Sequence, residues 1–153
     1  MIELGAAAPD FTVLTDDGSP LTLSSLRGKP VVLYFYPKDD TSGCTVEACE
    51  FRDMFPRFDS SNAVILGVSP DNVKSHVKFK AKFELPFTLL ADTEKVIAAA
   101  YDVWKEKSMY GKKYMGIERT TFVIDAKGNI AQIFHKVKPA GHAAEVMHAL
   151  QAL

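Results

Sequence analysis

The chain has 153 residues and a nearly balanced charge, 18 lysines and arginines against 19 aspartates and glutamates, for a net of −1. That mixture offers no basic face to nucleic acid, and no apolar run approaches the roughly 18 residues of a membrane span. The four histidines, at 76, 135, 142 and 148, lack the paired spacing of a metal centre, so neither metal nor cofactor is expected.

A chain of this length can bury roughly 68–70% of the surface it exposes when unfolded. No repeat, low-complexity stretch or linker divides it, so residues 1–153 are expected to form one domain. The first residues, Met-Ile-Glu-Leu-Gly-Ala, lack a charged-then-apolar leader, which points to the cytoplasm.

In chain order, Asp16-Asp-Gly18-Ser marks a turn between short extended segments at 12–14 and 21–23. The apolar run 31–36 reads as a buried strand, and 45–58 as a helix with Val46, Phe51, Met54, Phe55 and Phe58 on one face. A second apolar strand at 63–68 follows, then a helix from Asp71 to about Lys82, ended by Leu85-Pro86-Phe87. Residues 88–90 are short and extended, and 93–101 form a small helix with Asp92 as its cap. The stretch 103–117 has little regular periodicity and is expected to be a loop crossing one face, forming one wall of any pocket beside Arg119. Segments 120–124 and 130–135 alternate as a strand pair about Asp125-Ala-Lys-Gly128-Asn129, and a last helix covers about 141–152. Strands alternating with helices, then a hairpin and a final helix, predict an α/β fold with a mixed central sheet between helical layers.

The chain's only cysteines, Cys44 and Cys49, lie in Pro37-Lys-Asp-Asp-Thr41-Ser-Gly-Cys44-Thr-Val-Glu47-Ala-Cys49, directly after the strand at 31–36. Thr41 and Ser42 supply hydroxyls for a helix cap, and Gly43 permits close approach of the backbone to another group. Cys44 therefore falls at or near the first helical turn, where free N–H groups and the positive end of the dipole favour an anionic sulfur. Cys49 has no such help and would ordinarily be a small packing residue. In an unbroken helix, residues five apart are separated by about 7.5 Å of rise and about 140° of turn, hence roughly 8.7 Å between Cα atoms. A disulfide needs less than about 7 Å. Should these thiols join, the first turns of the helix must unwind. Two unrelated buried thiols remain the alternative at this point.

Pro37-x-x-x-Thr41-x-x-Cys44-x-x-Glu47 resembles the active-site signature of peroxiredoxins. Cys44 with Cys49 five positions on, followed by Phe51-Arg52-Asp53, is similar to the peroxiredoxin Q or bacterioferritin comigratory protein branch. The likeness runs essentially end to end, through Pro9-Asp10-Phe11, Leu26-Arg-Gly28-Lys29, Val68-Ser69 and Arg119-Thr-Thr-Phe-Val-Ile-Asp125. One departure is Ser42, where that branch commonly carries proline; its loss should loosen the start of the helix.

The resemblance implies a thioredoxin-like fold with an added N-terminal β-hairpin, and a thiol-dependent peroxidase. Cys44 would attack the terminal oxygen of hydrogen peroxide or an organic hydroperoxide and become a sulfenic acid, resolved by Cys49 as an intramolecular disulfide. Thioredoxin or a glutaredoxin-like protein would reopen that bond, and the enzyme would be monomeric. Lowering a thiol pKa from about 8.5 to about 6 raises its thiolate fraction at neutral pH from roughly 3% to roughly 90%, an effect of only about 2 kcal/mol. The rest of the acceleration has to come from groups that orient the O–O bond and stabilise the leaving oxygen. By resemblance these are Thr41, Arg119 and backbone N–H groups near Gly43 and Cys44, with Pro37 shielding the sulfur and Glu47 holding an arginine.

Two other classes share these residues. A disulfide oxidoreductase of thioredoxin type would have two residues between its cysteines, whereas here there are four. A redox sensor would use the same oxidation of Cys44 without rapid turnover.

Overall fold

A computed structural model describes residues 2–153. Five strands form the central sheet: β3 (Val31–Phe35), β4 (Val64–Ser69), β5 (Thr88–Ala91), β8 (Thr120–Ile124) and β9 (Ile130–Phe134), in the order β5-β4-β3-β8-β9. β4 runs parallel to β3 and to β5, while β8 is antiparallel to both β3 and β9, which makes the sheet mixed. All five residues of β3 are buried, because helices and loops cover both faces of this central strand. The expected boundaries of these strands hold to within a residue or two.

One face of the sheet packs on α1 (Ser42–Ser60), α2 (Val73–Phe83) and α4 (His142–Gln151), with Tyr34, Tyr36, Phe51, Phe58, Phe79 and Val146 at the centre of that core. Tyr34 stacks on Phe51 at 4.8 Å between ring centroids, locking the middle of α1 against β3. The other face packs on α3 (Val96–Ala100), a 3-10 turn at Leu23–Leu26 and the N-terminal segment, through Leu33, Phe35, Leu90, Tyr101 and Phe122. The N-terminal hairpin is present as β1 (Thr12–Leu14) and β2 (Pro20–Thr22).

The largest difference from expectation lies at 103–117, which is not a loop but a two-stranded hairpin, β6 (Trp104–Met109) and β7 (Lys112–Ile117). Tyr110 and Gly111 both have positive φ, as a two-residue hairpin turn requires. Its strands carry lysine and glutamate and face solvent on most positions, so no apolar alternation marks them.

Helix starts also moved. α1 begins at Ser42 rather than 45, and Val46 lies exposed while Glu47 occupies the buried face with Cys44, Ala48, Phe51 and Phe58. α2 is capped by Asn72, whose side chain accepts from Ser75 N–H, because Asp71 is engaged with Ser69 and the backbone of Asp39. α3 is shorter than expected, with Lys95 in the left-handed region before it. Asp92 nonetheless caps it from a distance, accepting from the N–H groups of Ile97 and Ala98. Among the described residues no helix is long and apolar enough to cross a membrane.

Candidate active site

Strand register brings the site together. Thr120, first residue of β8, is paired with Phe35, last residue of β3. Arg119 therefore emerges at the same end of the sheet as the 37–41 loop and the start of α1, although 75 residues separate it from Cys44. Its Nη2 donates to Cys44 Sγ at 3.0 Å, and its Nη1 donates to Glu47 Oε1 at 3.1 Å. Cys44 and Glu47, one helical turn apart, thus share one guanidinium. Both are 1% exposed, while the arginine side chain retains 18%.

Gly43 explains how the arginine gets so close. A Cβ placed there would lie 2.9 Å from Nη2 of Arg119 and 3.4 Å from Cγ of Pro139. The close approach expected at this glycine is to the guanidinium.

Thr41 is the N-cap residue by backbone geometry, with φ −97 and ψ 158, but its hydroxyl does not cap the helix. It donates to the carbonyl of Lys38 at 2.9 Å, which leaves the oxygen's lone pairs as the exposed function. The capping expectation for Thr41 and for the exposed Ser42 is corrected on this point. The first backbone bond of α1 runs from Thr45 N–H to Thr41 C=O, so the N–H groups of Gly43 and Cys44 precede the helical ladder and point at the sulfur's end of the helix.

Glu47 sits in a strongly asymmetric field. Burial pushes its carboxyl up from 4.5 to about 7, against the opposing charge and hydrogen bond of Arg119, with Glu50 adding a small upward push. Its second oxygen, Oε2, is buried without a hydrogen-bond partner, as is the hydroxyl of Tyr34. Burial, followed by the nearby Glu47 and Cys44 charges, holds Tyr34 well above the ordinary phenol range.

Cys49 lies on the same uninterrupted helix, half-buried, and both cysteines are free thiols. Pro37 follows Tyr36 at the end of β3, half-buried at the base of the loop.

Beside Arg119 the stretch 103–117 forms the wall expected of it, as a hairpin rather than a loop. Glu106, Lys107, Ser108 and Tyr114 line an open recess of about 490 Å³ with Arg119. Burial, then the Arg119 charge, lower the Lys107 pKa, so this ammonium feels the same field as the arginine. One part of the site escaped sequence reasoning, the anchor of the 37–41 loop. Asp39 accepts from Tyr36 OH at 2.6 Å and Ser75 OH at 2.8 Å, and pairs with His76 Nδ1 at 2.7 Å. His76 Nε2 faces the Leu90 carbonyl at 2.9 Å. Since both ring nitrogens face acceptors, the buried imidazole is held doubly protonated. Burial alone would lower His76, but the bond and charge of Asp39 outweigh it and the pKa is raised. Donor atoms of Asp39, Asp71 and His76 lie within 4.8 Å of one another, and each group is already satisfied by these internal bonds. Nothing in sequence spacing links residue 39 to residue 76.

The Cys44 sulfur thus accepts from a guanidinium at the N-terminal turn of a helix. The AhpC/TSA family profile matches residues 4–133, and the chain belongs to that family, which makes it a peroxiredoxin, a thiol peroxidase. Its relatives set it in the Bcp and Q branch. Peroxiredoxin Bcp of Bacillus subtilis is 52% identical over 150 residues, covering 98% of this chain and 96% of that protein. Peroxiredoxin Bcp of Xanthomonas campestris is 47% identical over 152 residues, covering 99% and 95%. Among solved structures, the Xanthomonas campestris bacterioferritin comigratory protein, studied for its alkyl peroxide reduction, superposes with a TM-score of 0.92 at 46% identity, over 99% of this chain and 97% of that one. The fold is thus thioredoxin-like, with the mixed sheet and flanking helices as expected.

Proposed function

We propose that the chain reduces hydrogen peroxide and organic hydroperoxides through Cys44, with Cys49 as the resolving thiol. The observation that carries this reading is the 3.0 Å bond from the Arg119 guanidinium to Cys44 Sγ. A charge-assisted donor there favours the anionic sulfur, and the same guanidinium faces the recess through which a hydroperoxide would arrive. The thiolate attacks the terminal oxygen and the O–O bond breaks. Arg119 and the N–H groups of Gly43 and Cys44 then stabilise charge moving onto the leaving oxygen. Thr41, its own proton committed to Lys38, accepts the hydroperoxide O–H and orients it. Glu47 positions Arg119, and Pro37 screens the sulfur from bulk water.

Cys49 then attacks the sulfenic sulfur, the S–O bond breaks, and the disulfide forms with release of water. In the continuous helix the two Cα atoms are about 8.7 Å apart by helix geometry, beyond disulfide reach. The start of α1 unwinds, with the 37–41 loop as its fixed end. Amide exchange across residues 41–50 is then faster in the disulfide form than in the dithiol form; equal protection in both would sink the unwinding step. Thioredoxin or a glutaredoxin-like dithiol reopens the bond, and a reducing cytoplasm suits a disulfide opened at each turnover. All these groups come from one chain, which supports a monomeric enzyme; sedimentation of the reduced protein tests it.

The decisive experiment is peroxide consumption by wild type, Cys44→Ser and Cys49→Ser with a thioredoxin system. Cys44→Ser should be inactive, and Cys49→Ser should be oxidised once without sustained turnover. Peroxide-dependent cycling by Cys44→Ser would overturn the assignment.

A further inference from the structure

Three ionisable groups meet at the buried end of α1 with only one obligate cation among them. Arg119 divides its two Nη groups between Cys44 Sγ and Glu47 Oε1. If both partners were ionised, two buried anions would share one positive charge. Burying an uncompensated charge is costly, and a site that cannot neutralise both anions keeps a proton on one of them. Oε2 of Glu47, buried and without a partner, is the atom left free to carry it, since Oε1 is committed to accepting from Nη1.

We propose that Glu47 is the proton store of the reaction: its Oε2 holds one proton while the Cys44 sulfur is anionic, and the carboxyl ionises when that sulfur becomes a neutral sulfenic acid. This rests on the reading of Cys44 as the peroxide-reducing thiol. In the resting site one proton moves off sulfur and one is held on Glu47, which leaves Arg119 to the thiolate. The thiolate's electron pair forms the S–O bond to the terminal oxygen, which keeps its hydrogen, and the O–O pair stays on the leaving oxygen. That oxygen needs one proton, and Glu47 releases one: thiolate, hydroperoxide and carboxylic acid become sulfenic acid, alcohol or water, and carboxylate. The charge of the site is −1 for these two side chains before and after, so Arg119 faces a single anion throughout.

The surroundings fit this role. From β3 the Tyr34 hydroxyl faces the same region and stays protonated. Glu50 on the same helix disfavours a second negative charge at Glu47. His142, at the start of the packed α4, has its pKa lowered by burial, which favours the neutral ring. Lys107, on the hairpin, shares its field with Arg119 and Cys44 at the solvent side of the site. The carboxyl's elevated pKa, about 7, keeps both of its forms accessible near neutral pH.

Two measurements test the proposal. In the Cys49→Ser background only Cys44 contributes a thiolate, so its ultraviolet absorbance can be followed against pH with and without Glu47→Gln. Glutamine reproduces the neutral acid, so the thiolate should form at the wild-type proton activity; formation at a proton activity roughly tenfold higher, the scale of one neighbouring charge, would mean that a carboxylate faces the thiolate in wild type and overturns the proposal. If Glu47 only positions Arg119, glutamine holds the guanidinium less firmly and the thiolate forms at lower proton activity; that sign overturns the proposal. The second measurement uses wild type alone. Infrared difference spectra on adding one equivalent of hydroperoxide near neutral pH should show a protonated carboxyl lost and a carboxylate gained, a signal absent from Glu47→Gln. No carboxyl change in wild type, with sulfenic acid demonstrably formed, overturns it too. Failure of the peroxidase reading would look different: no sulfenic acid would form at Cys44 at all.

Discussion

Gly43 and Arg119 are packed so closely that a single methyl group cannot be placed between them: a Cβ at position 43 would come within 2.9 Å of Nη2. The same nitrogen donates to Cys44 Sγ. Gly43→Ala should therefore leave the fold intact, since the residue is in an ordinary helical position, yet push the guanidinium off the sulfur. A displacement of about 1 Å at a reacting centre costs on the order of 100-fold in rate. Rapid-mixing measurement of the peroxide step should show a drop of that order, with an unfolding midpoint close to wild type.

Glu47 makes a pH prediction with a definite sign. Its carboxyl holds a proton up to about pH 7 in the folded state, while the unfolded chain loses it near 4.5. The folded state binds more protons across that window, so the contribution is complete below about 4.5 and is lost as pH rises toward 7. The loss is roughly 3 kcal/mol from the two values. Denaturant unfolding across this window should show a steeper decline for wild type than for Glu47→Gln; parallel curves would remove the buried, protonated carboxyl.

The anchor of the 37–41 loop is a buried ion pair, His76 with Asp39, at 2.7 Å and with side chains 0% and 4% exposed. Removing one partner strands the other charge, which costs about 3–5 kcal/mol in such pairs. Asp39→Asn should lose stability on that scale and raise amide exchange across residues 37–41. Because His76 has a raised pKa, its contribution is fully present below its ordinary 6.5 and fades as pH climbs through the folded value. The destabilisation by Asp39→Asn should accordingly shrink in alkaline solution.

Ser42 is the first residue of α1, exposed, and stands where proline would pre-set the backbone. Ser42→Pro should stabilise the dithiol form by about 0.4–1 kcal/mol. It should also slow disulfide formation, since the turn it stiffens is the one that unwinds. Chemical denaturation and the rate of disulfide formation after a stoichiometric peroxide pulse read the two effects separately.

Much of this protein was legible as a string of residues. Uninterrupted apolar stretches such as 31–36 and 63–68 announce buried strands, because a strand covered on both faces has no polar positions. The strand pattern at 31–36 followed by a helical pattern from residue 45 placed a thiol at a helix start, where the dipole acts within one turn on neighbours in sequence, although the hydroxyls expected to cap that helix do not. The hairpin at 104–117 was invisible for the converse reason: its stability comes from cross-strand pairing of polar residues, which leaves no period in the composition.

Folding alone decided what the thiol meets. The pairing of Phe35 with Thr120 carries Arg119 across 75 residues to the sulfur, and α2 brings His76 under the loop to hold Asp39. Whether Glu47 is an exposed charge or a buried acid follows from which side of α1 faces β3, where Tyr34 and Phe51 stack. Local chemistry depends on adjacent residues and can be read in order along the chain. Electrostatic partnership depends on distance and desolvation, and these exist only once strand register and helix packing have set every group in place.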